Sequence, residues 1–425
     1  ANVDEPRIET TVHVNAGAAD AADTNPGTVD APLATVAAAC ERAKEHLRNG
    51  QGVKIRIYPG LYREGSLVFD GAKLGDAARD AVLVIEGGEG VILSGSEDWS
   101  DKPWEPVHND AGEVLYHRID WPHDFGLKSP GWGKYDPKGI AAYRREMVFV
   151  NGELLPDVFI EQYAFDPEKK GHVKMEYTGF VSPAKLLRPG AFAVAERDEN
   201  GNTLFLRLPE GVMLDDATIE VAMHPFILTF GDMENVAVRG IAFQHAASTH
   251  KHAALMMGSP AWMKLGGVEN PYAWNNRNIL VEDCRFIWNN NFGLLVNKVD
   301  AITVRHCDAS YNGMGGVRNW TIRNCLIEDL TTNFNNCRRH RGGLVGWGIA
   351  GMKSHGVYDA LVRRHTCIGN ITEGQWWDID NTNITIEELV AIGNRSRGLF
   401  LEISPGPFLV RKSLMADSEL PVFRL

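Results

Sequence analysis

The chain has 425 residues, 43 of them Gly and 20 Pro, with a formal net charge of −12 and 44% hydrophobic residues. That charge argues against nucleic acid as a long-range partner, and no apolar run reaches the length of a membrane-spanning helix. At this length one compact core is outgrown, unless the core extends along an axis as it does in a repeat solenoid.

The chain opens on Ala1-Asn-Val-Asp-Glu-Pro6, which reads as the start of a processed chain, so a secreted or periplasmic location is expected. Ala31 to Arg48 carries Leu33, Val36, Ala37, Cys40 and Leu47 at helical spacing, and Gly50 follows as a stop. A helix here caps the open end of a solenoid, where unpaired strand edges invite aggregation. The strand Val53-Lys-Ile-Arg-Ile-Tyr58 and the turn Pro59-Gly60 begin the first coil, so residues 1–98 read as the cap and first coils.

Residues 99–223 break the pattern and read as an inserted β-rich subdomain, expected to wall one end of a groove. Glu146 to Val150 before Asn151-Gly152, and Thr203 to Leu208 before Pro209-Glu-Gly211, look like hairpin strands.

Residues 224–425 carry a repeat. Short apolar strands align on Val238, Val281, Val304, Ile322, Val362, Ile386 and Val410, at intervals of 43, 23, 18, 40, 24 and 24 residues. Asn recurs eight residues after the marker at Asn289, Asn312, Asn370 and Asn394, where a side-chain ladder can satisfy buried polar groups at a bend. Gly293, Gly315, Gly374 and Gly398 follow, as expected of corners with φ > 0. Cys284, Cys307 and Cys325, then His365 and Leu389, share one position and read as inward. Six cysteines in so large a chain are buried thiols rather than a disulfide framework, and no spacing calls for a metal site. A unit of about two dozen residues fits a right-handed parallel β-helix, an all-β solenoid; propeller blades repeat at roughly 40 residues. Asn370, Asn383 and Asn394 match the glycosylation sequon, but a laddered Asn370 or Asn394 could not carry a glycan.

Two stretches one unit apart are nearly the same: Ile368-Gly-Asn-Ile-Thr-Glu-Gly-Gln-Trp-Trp-Asp-Ile-Asp380 and Ile392-Gly-Asn-Arg-Ser-Arg-Gly-Leu-Phe-Leu-Glu-Ile-Ser404. Neighbouring strands lie about 4.8 Å apart, so Asp378 stacks on Glu402. Strand alternation with Ile379 and Ile403 inward sends Trp376, Asp378 and Asp380 outward over Phe400, Glu402 and Ser404, with Asn297 in the same column. Paired carboxylates are what glycosidic cleavage needs, and Trp376 with Phe400 would offer ring faces to a sugar. Two acids so close do not both ionise freely, which supplies an acid beside a base or nucleophile. Trp347, Lys353 and His355 in the preceding coil are candidates to line the groove. His245, His250 and His252 form a local cluster, of which His245 is a candidate substrate contact. Arg338, Arg339 and His340, followed by Arg341, are a candidate clamp for a sulfate or carboxylate.

Gly50 to Glu64 resembles the opening coil of pectin-lyase-like β-helix proteins. Arg145-Glu-Met-Val-Phe-Val-Asn-Gly152, Trp347-Gly-Ile-Ala-Gly-Met-Lys353, Trp377-Asp-Ile-Asp-Asn381 and Gly398-Leu-Phe-Leu-Glu-Ile-Ser404 together resemble proteins around glycoside hydrolase family 141. That family includes α-L-fucosidases and xylanases, and the resemblance implies Asp378, Asp380 and Glu402 as site residues with Trp347 and Lys353 nearby. The sequence closes on Pro421 to Leu425 midway through a coil, so a site residue beyond Leu425 is also an expectation.

The expected function is a glycoside hydrolase acting on a fucosylated or sulfated polysaccharide or oligosaccharide, with no cofactor. Two other readings stay open. One is a polysaccharide lyase in which the acids hold Ca²⁺ against a uronate and Lys353 or Arg397 takes the proton; the other is a non-catalytic glycan-binding protein.

Overall fold

A computed structural model of the protein describes residues 3, 5–121, 145–158, 187–198, 201–248, 252–258, 276–339, 348–420 and 423–424. The chain divides into two compact units: Ala1–Gly95 with His224–Asn336 and Ile349–Leu425, and Ser96–Met223 with Cys337–Gly348. The 337–348 insertion, expected among the coils, thus belongs to the second unit.

The first unit is a right-handed parallel β-helix whose coils expose three faces. The first face stacks Leu67–Asp70, Leu228–Gly231, Ala253–Met257 and the starts of the long strands Phe292–Asp308, Gly315–Thr331 and Ala350–Ile368, then Glu373–Asp378 and Leu399–Glu402. The second face begins earlier than expected, with Ile8–Val14 pairing in parallel with Gly52–Ile57. It continues through Leu83–Glu86, Glu234–Arg239 and Asn276–Glu282 to Thr382–Glu387 and Phe408–Arg411. The third runs from Gly60–Arg63 through Val91–Ser94, Ala242–Gln244 and Arg285–Ile287 to Val390–Ile392 and Leu414–Ala416. The helix spans Val36–Arg48, later than the apolar pattern alone predicts, because Thr35 caps it by accepting from the Ala38 N–H. Its buried residues Val36, Ala39, Cys40, Ala43 and Leu47 join the same core that runs to Leu401.

Pairing corrects the register at one marker. Val304 lies opposite Ile327, whereas Ile322 pairs with Val299 and Val357. Both isoleucines sit on one 17-residue strand, so periodicity alone could not choose between them. With Ile327 in place the intervals become 43, 23, 23, 35, 24 and 24 residues. The inward column is then Cys307, Leu330, His365, and Cys325 pairs instead with Ile302 and Ala360. All three thiols are free and buried. The stacked glycines are Gly293, Gly316, Gly351, Gly374 and Gly398, with Gly316 in place of the expected Gly315, and none takes a positive φ. Close approach demands them: a Cβ on Gly351 would fall 2.7 Å from the Gly374 carbonyl oxygen, and one on Gly374 2.7 Å from that of Gly398.

The corrected register also completes the asparagine ladder. Each Nδ2 donates to the next Oδ1, from Asn289 to Asn312 at 3.0 Å, Asn312 to Asn335 at 3.2 Å, Asn335 to Asn370 at 3.1 Å and Asn370 to Asn394 at 2.8 Å. The missing member was Asn335, hidden by the 35-residue interval that follows it.

A second ladder went unread in the sequence. Along the second face one position alternates in sign from rung to rung: Arg56, Glu86, Arg239, Glu282, Arg305, Glu328, Arg363, Glu387, Arg411. The next residue alternates acidic and basic side chains, Asp283, His306, Asp329, Arg364, Glu388 and Lys412, each with φ between 51° and 57°. Bonds such as Arg305 Nε to Glu282 at 2.5 Å and Arg364 Nε to Asp329 at 2.6 Å tie rungs together. Pairs so near the surface add little each, but skipping a rung would set like charges opposite one another at the junction.

The second unit holds two four-stranded sheets around Trp99, Trp104, Trp121 and Phe192. Val148–Val150 and Glu153–Leu154 form the expected hairpin, with Asn151 and Gly152 at φ 51° and 82°. Gly201–Arg207 pairs back onto Ala191–Asp198 and Val114–Asp120 rather than forward across Pro209.

Two stability outcomes are expected. Asn335→Ala orphans the buried Asn312 backbone N–H, which donates to Asn335 Oδ1, and should cost about 1–3 kcal/mol in denaturant unfolding. Glu328→Lys sets a cation between Arg305 and Arg363 and should lower Tm at low salt, with part of the loss recovered as added salt screens it.

Candidate functional site

Two outward columns of the first face converge on the expected acids. One runs Leu295, Arg318, Lys353, Trp376, Phe400; the other runs Asn297, Trp320, His355, Asp378, Glu402. Asp378 pairs directly with Glu402 and Trp376 with Phe400. Strand alternation sends Gln375, Trp377, Leu399 and Leu401 inward instead, where Trp377, Leu399 and Leu401 join the core. The outward phase of Asp378 and Glu402 came from the wrong residues, however. Ile379 and Ile403 were placed inside, yet they are 50% and 74% exposed and sit at corners with φ 52° and 46°.

The corner removes Asp380 from the column. With φ 60° it lies past the bend and accepts the Tyr358 hydroxyl at 2.5 Å, on the second-face side. Ser404 bonds Asn381 rather than standing under Asp380.

The aromatic platform is not available either. Trp376 and Phe400 are 1% and 5% exposed and stack on one another, with centroids 5.1 Å apart. Each also carries a cation: Lys353 Nζ lies 2.9 Å from the Trp376 centroid, and the Arg397 guanidinium 4.4 Å from that of Phe400. Arg397 in turn pairs with buried Glu373 at 3.2 Å.

Asp378 is the electrostatic centre. Lys353 Nζ stands 3.0 Å from its Oδ2, and His355 Nε2 2.7 Å from the same oxygen. Burial opposes ionisation of this carboxyl, but the His355 hydrogen bond and the Lys353 charge outweigh it and hold the group below its usual range. Burial pulls Lys353 down to about 7; Asp378 opposes that and Arg318 reinforces it. Burial likewise lowers His355 to about 4, so near neutral pH a neutral imidazole donates Nε2–H to an ionised Asp378. Arg318, brought down by burial to about 10, remains a cation. Glu402 is half-buried and accepts the Trp376 indole N–H at 3.1 Å.

The remaining candidates lie elsewhere or outside the described residues. Arg338 is held within the second unit, donating to the Glu146 carbonyl at 2.9 Å and facing Asp157 at 3.5 Å, so it is structural rather than an open clamp. Arg339 is exposed. His340, Trp347 and His250 lie outside the described residues. His245 is buried on the third face, with Nδ1 3.4 Å from Ser94 Oγ, away from the acidic column. Glu282, Asp283 and His306 bring possible metal-ligand atoms within 4.8 Å, but they are rungs of the charge ladders. The sequence reading missed Arg318, Trp320 and Glu373. Once Ile327 replaces Ile322 as marker, the first two fall in line with Lys353 and His355, so the signal was present.

No protein-family model matches the chain, and no curated protein matches it in sequence. Among solved structures, one described as a complex of XylC with xylose is 17% identical, with a TM-score of 0.69 over 97% of this chain and 66% of that one. The chain therefore spans just under two thirds of that relative's length, and the likeness is one of fold. A glycoside hydrolase (11% identical, TM-score 0.46, 96% of this chain and 97% of that one) and the pectate lyase Pel9A (10%, 0.43, 95% and 68%) superpose more loosely.

The folded His355 pKa makes an acid-side expectation. Between about pH 6.5 and 4 the unfolded chain takes up this proton and the folded chain does not, so stability falls as pH falls through that window. The displacement from 6.5 to about 4 is worth up to about 3 kcal/mol. Buried His365, held at about 3, acts in the same direction. Calorimetric Tm should decline from pH 7 to 4, and His355→Gln, which keeps a donor toward Asp378, should flatten part of the slope.

Proposed function

We propose that the protein is a carbohydrate-active enzyme that hydrolyses glycosidic bonds, with Asp378 and Glu402 as its catalytic pair. The observation carrying this is their direct in-register pairing on an outward strand, together with the two donors that hold one member ionised. Asp378, kept as a carboxylate by Lys353 and His355, serves as base or nucleophile. Glu402, one rung on and given a neutral indole donor, serves as the acid that protonates the leaving oxygen. A sugar is also what the XylC structure holds, and the same ligand class is proposed for this chain. Within that class we propose a fucosylated or sulfated polysaccharide or oligosaccharide, an activity like that of glycoside hydrolase family 141, and a secreted or periplasmic setting.

One observation favours the lyase reading: a lysine brought down to about 7 could serve as a proton-abstracting base. Against it, Lys353 is fully buried and ion-paired, and one oxygen of Asp378 is already shared by two nitrogen donors rather than left open to Ca²⁺. The products decide. A lyase yields an unsaturated, ultraviolet-absorbing sugar and loses activity to a chelator; a hydrolase does neither.

Against a panel of marine and plant polysaccharides, Asp378→Asn and Glu402→Gln should each lower hydrolysis by about 10²–10⁴-fold while leaving the circular dichroism spectrum unchanged. Wild-type rates from both variants would refute the assignment.

A further inference from the structure

Trp376 has no ring face to offer a sugar, yet it touches the surroundings of both acids. Phe400 stacks on it at 5.1 Å and Lys353 Nζ lies 2.9 Å from its centroid, leaving the residue 1% exposed. Its indole N–H reaches across to the following rung and donates to Glu402 Oε2 at 3.1 Å. The same Lys353 ammonium that sits on its ring stands 3.0 Å from Asp378.

We infer that Trp376 is a positioning residue that couples the two acids, fixing Glu402 through its N–H and Asp378 through the lysine seated on its face. The inference rests on the reading of Asp378 and Glu402 as the catalytic pair. An indole is suited to this because its quadrupole presents a negative face to the ammonium and a polarised N–H at the edge. Buried from water, both contacts act at low effective dielectric, where an oriented donor does more than it would at a surface. Among the described residues, Lys353 and Glu402 touch the indole, and the other charged groups on its own and nearby rungs are His355 and Arg318 before it, Glu373 and Asp378 on its strand, and Arg397 after it.

The test separates this role from packing and from the function itself. Trp376→Phe keeps an aromatic face for Lys353 and Phe400 and removes the N–H together with part of the ring, a packing loss that both backgrounds share. Tm is measured at an alkaline pH, where the proposed acid has given up its proton, for the native protein, Trp376→Phe, Glu402→Gln and the double variant. The N–H to a carboxylate is charge-assisted, so Trp376→Phe should lower Tm by about 2 °C or more in the native background and by less than half as much beside Glu402→Gln. Equal losses in both backgrounds would overturn the inference. Should Trp376→Phe fail to fold, β-(3-benzothienyl)alanine at position 376 keeps the ring shape, removes the N–H and serves the same comparison.

The rate profile gives a second readout. Losing the donor destabilises ionised Glu402, so the alkaline limb of the pH–rate curve should move up by about one pH unit. A lowered rate with both limbs in place would mean packing alone. The stability cycle uses no substrate: if the protein hydrolyses nothing on the panel, the catalytic reading falls and the cycle still judges Trp376.

Discussion

In-register stacking of parallel rungs is the constraint on which everything else in the first unit depends. A coil cannot bury its inner face alone, so each side chain's environment is set by the residue at the same position one rung before and after. The asparagine ladder, the glycine column and the alternating charge columns are three expressions of this rule. The first satisfies buried amides, the second admits a neighbouring carbonyl, and the third penalises displacement by one rung. A repeat with uniform charge would tolerate slippage; this one pairs Glu282 with Arg305 and Glu328 with Arg363 and has no equivalent alternative nearby.

The same rule builds the site. Column partners on the first face need not resemble each other, so five successive rungs can place Asn297, Trp320, His355, Asp378 and Glu402 in one line on a rigid sheet. Strands hold such constellations more tightly than loops do. The neighbouring column supplies Lys353 and Trp376, and the contacts that tune the acids run between columns as well as along them.

Much of this was legible in the sequence, and the misreadings share one cause. The near-duplicate stretches ending at Asp380 and Ser404 gave the pairing of Asp378 with Glu402 correctly, because two rungs exactly 24 residues apart contain no insertion. Across the 35-residue interval between Ile327 and Val362 the pattern could slide, and it slid onto Ile322, which concealed Asn335, Arg318 and Trp320. Corners were the other weakness. Ile379 and Ile403 continue the apolar alternation on paper, but the backbone leaves the strand at those residues with positive φ, so they turn outward and carry Asp380 away. Burial of the aromatic pair was illegible for a different reason: alternation says which side of a sheet a ring occupies, not whether something packs against it.

The first face near the acids concentrates charge where the fold gains least from it. Arg318, Lys353, Glu373 and Asp378 are buried, none of them more than 7% exposed, and ions so placed are costly unless paired and hydrogen-bonded. On the second face the charges alternate regularly, and a carboxylate as buried as Glu328, 8% exposed, is paired with the partly exposed Arg363 of the next rung. The cost of the charges on the first face is offset only in part, as the lowered Lys353 and His355 values show. Apolar residues would pack that wall at least as well, and the core beneath it is built from them. A buried lysine brought to about 7 beside an aspartate held ionised is an arrangement that stability alone does not require. Its physical consequence is a fixed negative charge at Asp378 with little water around it, next to a second acid in the following rung. Under the proposed function, such surroundings would let oriented groups already in place, rather than solvent that must reorganise, stabilise a developing positive charge on a sugar ring.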